Sequence, residues 1–235
     1  ADDLAERLGS ASLAQPLLAV LQIALTDALA DLGLVADVVI GHSVGEVAAA
    51  HAAGILDDRQ ALRVIHARSF SQEIARGQGG MIAVAVSADE VPVLIAQCGV
   101  VSLELAAINA ANGVTLSGST AAIGDFAAFA AACGIVHKVL DIAYPFHSSL
   151  LADCRQPLLD ALDGLKPAAA RIPFVSTVFA SALPGQLLDA DYWWRNVRAP
   201  VRFADGVAVV GDLGANVLVG GFNQGVATQL RRHPG

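Results

Sequence analysis

A Gly-x-Ser-x-Gly pattern constrains this chain more than any other feature of its sequence. The segment GHSVGE at 41–46 follows a short apolar, β-branched run at 35–40 and precedes an Ala-rich helical segment at 47–54. A serine between a strand and a helix lies on a strained turn, and we expect Gly41 and Gly45 to remove Cβ atoms that would clash there. The context predicts Ser43 to be a nucleophile beside helix N–H groups that can stabilise an oxyanion. The alternative is a Gly-rich turn with an exposed serine.

The remaining elements predict an α/β fold with an insertion. Apolar spacing indicates helices at 16–33 and 58–75, and the glycine-rich segment RGQGG follows at 76–80. Beyond it, strands are predicted at 81–86, 102–107, 113–117 and 136–140, with helices at 88–97 and 123–133. This strand-helix-strand-strand-helix-strand order is typical of a ferredoxin-like unit. We therefore expect a small subdomain at 81–141, inserted into a larger one formed by 1–80 and 142–235.

Composition excludes several functional classes. The chain is 55% hydrophobic and has a formal net charge of −8, with two lysines, Lys138 and Lys166, which argues against a nucleic-acid surface. Charged residues or glycine interrupt each apolar run before the roughly 18 residues of a membrane span, and we see no targeting segment. The three cysteines, at 98, 133 and 154, have neither zinc nor disulfide spacing. We therefore expect no metal, no membrane and a cytoplasmic location.

A serine nucleophile needs a base, and histidine titrates nearest the working pH. Six histidines are available, and five have ordinary alternative roles in a turn, a helix, a strand or the tail: His42, His51, His66, His137 and His233. The sixth, His147, lies in AYPFHSS, where the chain returns from the predicted insertion to the main body. We therefore favour His147 as the base.

Several motifs in order now identify a family. They are Gln15-Pro16, GHSVGEVAAAHAAGIL at 41–56, Arg68-Ser69 with GQGGMIAV at 77–84, INAANGVTLSG at 108–118, FHSS at 146–149, STVFAS at 176–181 and DADYWWRNVRAPVRFADGV at 189–207. From Gln15 to Val226 the chain resembles the acyltransferase domains of modular polyketide synthases and the malonyl-CoA:acyl-carrier-protein transacylases. The family's first strand, with its Gly-Gln-Gly motif, is missing from this sequence. VLVGGFNQG at 217–225 stands where the family has a Gly-Pro-His element.

The resemblance implies a fold and a mechanism. The fold is an α/β-hydrolase-like large subdomain with an inserted ferredoxin-like one, in agreement with the element order. Ser43 is implied to form an acyl ester, with His147 as its general base and the backbone N–H of Val44 as an oxyanion donor. The segment around Arg202 matches the place where the family supplies the carbonyl that orients the histidine.

The resemblance also implies a substrate class. Arg68 matches the position that holds the free carboxylate of a dicarboxylic acyl group, since a guanidinium fork binds carboxylate in two charge-assisted hydrogen bonds. Without the resemblance, Arg68 reads as an ordinary surface arginine. Gln15, Asn109 and His42 are assigned to the same pocket, although Gln15 and Asn109 can equally form turn or core hydrogen bonds. Phe146 is implied to line the pocket beside the acyl group.

The identity of the acyl group follows the same comparison. Phe146 and Val44 match the malonyl-selective pattern, while Tyr144-Pro145 leaves methylmalonyl or an unusual extender open. The implied reaction moves the acyl group from coenzyme A to the phosphopantetheine thiol of an acyl carrier protein. It needs no permanently bound cofactor, and the implied partners are that carrier and neighbouring synthase domains such as a ketosynthase. A serine hydrolase and a catalytically inactive docking domain are the competing functions.

Overall fold

A computed structural model describes residues 9–220 of the 235. Its helices are α1 Ala11–Asp31, α2 Gly45–Ala52, α3 Asp58–Gln72, α4 Val91–Cys98, α5 Thr120–Ala132, α6 Arg155–Ala161, α7 Ala190–Arg198 and α8 Phe203–Asp212. Its strands are β1 Val39–Ile40, β2 Gly80–Val84, β3 Leu103–Ala110, β4 Gly113–Gly118, β5 His137–Val139, β6 Phe174–Ser176 and β7 Ser181–Leu183. Short 3-10 helices occupy Glu73–Ala75, Ala88–Glu90, Ser149–Cys154 and Gly185–Leu187.

The larger body is built on a three-stranded sheet of order β1-β6-β7. β1 is parallel to β6, with Val39 opposite Phe174, and β7 is antiparallel to β6. Helix α2 follows β1 directly and is buried along Val47 and its alanines, whose small side chains let neighbouring helices approach closely. One core cluster joins α2 and α3 to α6 and α7, with Trp193 fully buried in it. This packing fixes the turn between β1 and α2.

The smaller body is a four-stranded antiparallel sheet of order β3-β4-β2-β5. Helices α4 and α5 pack on it around a separate core that contains Phe126 and Leu116. The connection pattern is that of a ferredoxin-like unit, so the predicted α/β class with two subdomains is confirmed. The outer limits proposed for the larger subdomain stay a prediction, because 1–8 and 221–235 lie outside the described residues, as do Val226 and His233.

Two predicted elements have different bounds in the structure. The strand expected at 35–40 comprises only Val39–Ile40, because no neighbouring strand pairs with 35–38 among the described residues. The helix expected to begin at Pro16 begins at Ala11, and Pro16 lies inside it. The apolar spacing placed the predicted start too late, because the polar residues Ser12 and Gln15 interrupt the apolar pattern before Pro16. Here the helix continues on the N-terminal side of the proline.

Helix α1 is long and apolar enough to cross a membrane, by length and composition alone. This finding differs from the expectation that charged residues or glycine interrupt each apolar run, because Asp27 and Asp31 near its C-terminal end are the charged residues of α1. Length and composition do not distinguish a membrane span from a helix that packs on a protein, however. Gln15 on α1 is buried against α3, where its side-chain amide donates to Gln72 Oε1 over 2.6 Å.

A short backbone pairing joins the two bodies. The Ile108 N–H donates to the Val201 carbonyl over 2.8 Å, and the Val201 N–H donates to the Ala106 carbonyl over 2.9 Å. These bonds align the segment between α7 and α8 with the edge strand β3. The same segment carries one of the groups of the site described next.

Candidate active site

Ser43 occupies the sharp turn between β1 and α2. Its φ is +53°, in the left-handed region that non-glycine residues rarely adopt. A Cβ at Gly41 would lie 2.3 Å from the Glu46 nitrogen, so this position requires glycine. At Gly45 the nearest atoms to an added Cβ are 3.9 Å away, on the Gln22 side chain. The expectation for Gly41 is confirmed, and the one for Gly45 is wrong because a Cβ there would point toward the Gln22 side chain rather than toward the backbone of the turn.

Ser43 and His147 meet although 104 positions separate them. The Ser43 Oγ lies 2.8 Å from His147 Nε2, and His147 Nδ1 lies 2.9 Å from the Ala199 carbonyl oxygen. A carbonyl only accepts, so Nδ1 carries the proton and Nε2 is free to accept the Ser43 hydroxyl proton. This is the geometry of a serine activated by a neutral imidazole.

The carbonyl that orients His147 is therefore that of Ala199, and the expectation for Arg202 is wrong by three residues. Arg202 lies at the start of α8, where its guanidinium pairs with Asp205 over 2.8 Å and its N–H donates to the Thr177 carbonyl. The Arg202 prediction rested on a motif, and a motif does not specify which of several successive carbonyls faces the ring.

The imidazole of His147 is held neutral. The residue is 4% exposed, and burial together with the positive charge of Arg68 lowers the pKa of His147 to about 3. The hydrogen bond to Ala199 opposes that shift. A neutral His147 at neutral pH is ready to accept a proton.

Arg68 lies at the centre of the site. Its guanidinium is almost fully buried and donates to three side-chain oxygens: Nη2 to Ser43 Oγ at 2.8 Å, Nη1 to Gln15 at 2.6 Å and Nε to Asn196 at 3.0 Å. Burial lowers the pKa of Arg68 to about 10, which still leaves it charged at neutral pH. A guanidinium has five N–H donors, so these three bonds leave two for another partner.

Burial of a guanidinium needs a compensating charge, and Glu46 supplies it. This carboxylate is completely buried and accepts hydrogen bonds from Thr177, Tyr192 and Asn196 over 2.6–2.8 Å. Burial raises the pKa of Glu46, and these donors oppose the rise. The Asn196 amide joins the two charges, because its oxygen accepts from Arg68 while its nitrogen donates to Glu46 and to the Ser43 carbonyl.

Glu46 and Asn196 had no predicted role. Both lie inside motifs that were recognised, GHSVGE and WWRNVRAPV. One signal was available for Glu46, because an acidic residue that opens an Ala-rich helix is either exposed or paired with buried donors. No sequence signal connected Asn196 to Arg68, since their contact spans 128 positions.

The other predicted pocket residues fall into two groups. Gln15 contacts Arg68, as described. Asn109 and His42 instead bind each other, with the Asn109 Oδ1 2.8 Å from His42 Nε2. Burial lowers the pKa of His42, whose ring also packs 5.2 Å from that of Phe203. The charge of Arg68 also contributes to the lowered pKa of His42, so this pair lies near the guanidinium that Gln15 contacts.

Phe146 lies next to His147, and its ring stacks flat on that of Tyr144, with centroids 5.0 Å apart and planes 6° apart. The Tyr144 hydroxyl donates to Glu73 over 3.0 Å and accepts from the Ala11 N–H at the start of α1. The Phe146 ring is thereby fixed from one side.

An anion at Ser43 has one further donor within reach. The Val44 N–H, directly after Ser43, donates to no other group in the described part of the chain. Such a free backbone donor beside the nucleophile is what an oxyanion needs. Within 9–220 there is no cluster of three His, Cys, Asp or Glu side chains that could hold a metal ion.

Comparison with known proteins places the chain in a domain family. Residues 5–220 match the family model of the acyl transferase domain. The chain is 37% identical over 218 residues to a highly reducing polyketide synthase of Aspergillus aculeatus, covering 88% of this chain and 9% of that protein. It therefore spans less than a tenth of that relative's length.

Solved structures give the same result. The acyltransferase domain from module 8 of the salinomycin polyketide synthase superposes with a TM-score of 0.84 at 34% identity, over 87% of this chain and 48% of that one. The acyl-carrier-protein S-malonyltransferase of Burkholderia pseudomallei superposes with a TM-score of 0.83 at 28% identity, over 90% of this chain and 71% of that one. The chain belongs to the acyltransferase domain family of polyketide synthases and malonyltransferases.

Proposed function

We propose that this acyltransferase domain moves a dicarboxylic acyl group, malonyl, from coenzyme A to an acyl-carrier-protein phosphopantetheine thiol through an ester on Ser43. The observation that carries the proposal is that a single atom, the Ser43 Oγ, is bound by both His147 Nε2 and the Arg68 guanidinium. The imidazole suits proton removal, and the guanidinium suits a substrate carboxylate beside the reacting carbon.

The reaction has two balanced halves. In the first, Ser43 Oγ attacks the thioester carbonyl while its proton passes to His147 Nε2, and the Val44 N–H stabilises the oxyanion. The C–S bond then breaks, and coenzyme A leaves as a thiol with the proton from His147. In the second half, the carrier thiol gives its proton to His147 and attacks the ester, and Ser43 leaves as a hydroxyl. No permanently bound cofactor takes part.

The dicarboxylic class is proposed from Arg68. The two N–H donors that remain on its guanidinium match the two oxygens of a carboxylate, and the charge is buried where water competes little. Malonyl is proposed within that class because Phe146, which precedes His147 and stacks on Tyr144, would limit the space for an α-methyl branch beside the acyl group. Methylmalonyl or a larger extender remains the competing selectivity.

The proposed partners are an acyl carrier protein and neighbouring synthase domains such as a ketosynthase. Their support is the relative of Aspergillus aculeatus, a polyketide synthase of which this chain matches 9%, and the matched malonyltransferase, whose name includes the carrier. The cytoplasmic location stays a prediction.

Intact-mass spectrometry with a panel of acyl-CoAs tests the proposal. We expect the malonyl adduct on the wild-type protein and no adduct on Ser43→Ala, with Ser102→Ala, an exposed serine, as the matched control. An adduct that survives until a carrier protein is added supports transfer, whereas rapid loss of the adduct to water would indicate the competing serine hydrolase. Full loading of Ser43→Ala would refute the role of Ser43.

A further inference from the structure

The position of His147 depends on two segments that are far apart in sequence. One is its own loop, in which His147 has a φ of +60°, a left-handed conformation that its surroundings must maintain. The other is the segment after α7, which supplies the Ala199 carbonyl to Nδ1. Both segments must keep their places for Nε2 to face Ser43.

A single carboxylate from the smaller body holds both segments. Glu104, on the edge strand β3, accepts from the Ser149 N–H at 2.7 Å and the Ser149 hydroxyl at 2.5 Å through Oε1. Its Oε2 accepts from the Arg198 guanidinium at 2.8 Å. Ser149 is two residues after His147, and Arg198 directly precedes Ala199.

We propose that Glu104 is a positioning residue for His147, acting through this Glu104 bridge, which consists of Glu104, Ser149 and Arg198. The inference rests on the proposed function, since it takes His147 as the base. Glu104 touches neither Ser43 nor His147 in the structure, so its effect passes through the His147 loop and the Ala199 carbonyl.

The neighbouring contacts explain why a side-chain bridge matters here. The backbone pairing between β3 and Val201 aligns the segment after α7 at one end only. The His147 loop has its own internal bond, from the Ser148 hydroxyl to the Pro145 carbonyl over 2.7 Å, but this bond does not reach α7. In the part of the chain that is described, Glu104 is the side chain that bonds to both segments.

The Glu104 bridge contains an ion pair as well as neutral hydrogen bonds. Burial alone would raise the pKa of Glu104, but the hydrogen bonds from Ser149 and the charge of Arg198 outweigh it and hold that pKa below its usual range. The side chains of Arg198 and Glu104 are 32% and 33% exposed, so the pair is partly shielded from water. An amide at 104 would present an N–H to one of these donors and weaken the bridge.

A double-mutant cycle on acyl loading tests the role of Glu104. We expect Glu104→Gln to slow loading of Ser43 about 10-fold in the wild-type background and to have no further effect in a His147→Ala background, because the two residues act as a unit. An equal slowing in both backgrounds would mean that Glu104 acts on something other than His147 and would overturn the inference. Asp205→Asn, which removes an ion pair of the same length on α8, is the matched control and is expected to leave loading unchanged.

A second readout separates this inference from the proposed function. A fluorophosphonate reacts with an activated serine whatever its natural substrate: the Oγ–P bond forms, fluoride leaves and the proton goes to His147. If the wild-type protein loads no acyl-CoA, the proposed function fails, but slower fluorophosphonate labelling of Glu104→Gln would still support the bridge. Unchanged labelling and unchanged loading of a folded Glu104→Gln protein would refute it. Should that variant not fold, Ser149→Ala removes one hydrogen bond, and we expect a smaller slowing in the same direction.

Discussion

The proposed nucleophile and the proposed base are held in position by different kinds of contact. Ser43 stands on a turn inside the larger body, where Gly41 permits close packing and buried Glu46, Asn196 and Arg68 form a continuous hydrogen-bonded chain. His147 stands on a loop that is bonded to Glu104 of β3 and to the segment after α7, and the Glu104–Arg198 ion pair is about one-third exposed.

The surroundings of Ser43 and of His147 therefore differ in how well they tolerate substitution. A substitution among the buried, hydrogen-bonded residues around Ser43 would leave polar groups without partners, which costs stability, so these residues tolerate little change. The position of His147 depends on a loop and on partly exposed contacts, and such contacts tolerate substitution more readily. We therefore expect substitutions of the buried residues around Ser43 to affect both catalysis and substrate class. Substitutions near the His147 loop should change the rate or the selectivity in smaller steps.

Removal of the base is expected to have the largest effect. His147→Ala should slow acyl loading by roughly 10²–10⁴-fold, the usual contribution of a general base. Single-turnover loading followed by mass spectrometry measures it, and His66→Ala, on the exposed surface of α3, serves as the control. An unchanged rate would exclude His147 as the base.

A substitution of Arg68 is the most direct test of the buried hydrogen-bonded residues around Ser43. Arg68→Ala should lower malonyl loading about 10- to 100-fold relative to acetyl loading, because only malonyl leaves a carboxylate unpaired. The ratio of the two loading rates is the measurement, since a general loss of stability affects both equally. Arg59→Ala, an exposed arginine of α3, is the control. An equal fall in both rates would make Arg68 structural.

The burial of His147 predicts a pH dependence of stability. Its pKa is lowered to about 3 in the folded protein, below the ordinary value of 6.5, so between these values the unfolded chain binds a proton that the folded one does not. The free energy of unfolding therefore falls as pH falls from about 6.5, by up to about 1.4 kcal/mol per pH unit from this group. His147→Gln should lack this part, so the difference between the two proteins in denaturant titrations should change between pH 7 and 4. A constant difference would contradict the neutral, buried state of His147.

The smallest expected effect concerns the wall of the pocket. Phe146→Ser should shift the competition between malonyl-CoA and methylmalonyl-CoA toward methylmalonyl by about 10-fold, the lower end of the value of one methyl group. Competition at equal concentrations measures it, and Phe70→Ser, an exposed phenylalanine of α3, is the control. Preferential methylmalonyl loading by the wild-type protein would contradict the malonyl assignment.

Local signals in the sequence predicted most of the elements and the two bodies. Strand and helix periods placed the four strands of the smaller sheet within a few residues, and Ser43 was clear because a strand, a glycine turn and a helix adjoin in sequence. The site itself depended on long-range contacts, so Ala199, Asn196 and Glu104 were missed. Which carbonyl faces a ring, or which carboxylate bridges two loops, follows from packing between segments that share no local pattern.

The hydrogen bond from Arg68 to the Ser43 hydroxyl has a consequence for the resting enzyme. In the free hydroxyl form of Ser43, the oxygen accepts from one of the two N–H groups on Arg68 Nη2, so this N–H has a partner before acylation. On the proposed function, esterification converts that oxygen into a poor acceptor, and the guanidinium must exchange it for another. A dicarboxylic acyl group brings its own replacement, whereas an acetyl group leaves the donor unpaired at about 1–3 kcal/mol. Discrimination between acyl groups would thus continue after the covalent bond has formed, as a difference in the lifetime of the ester.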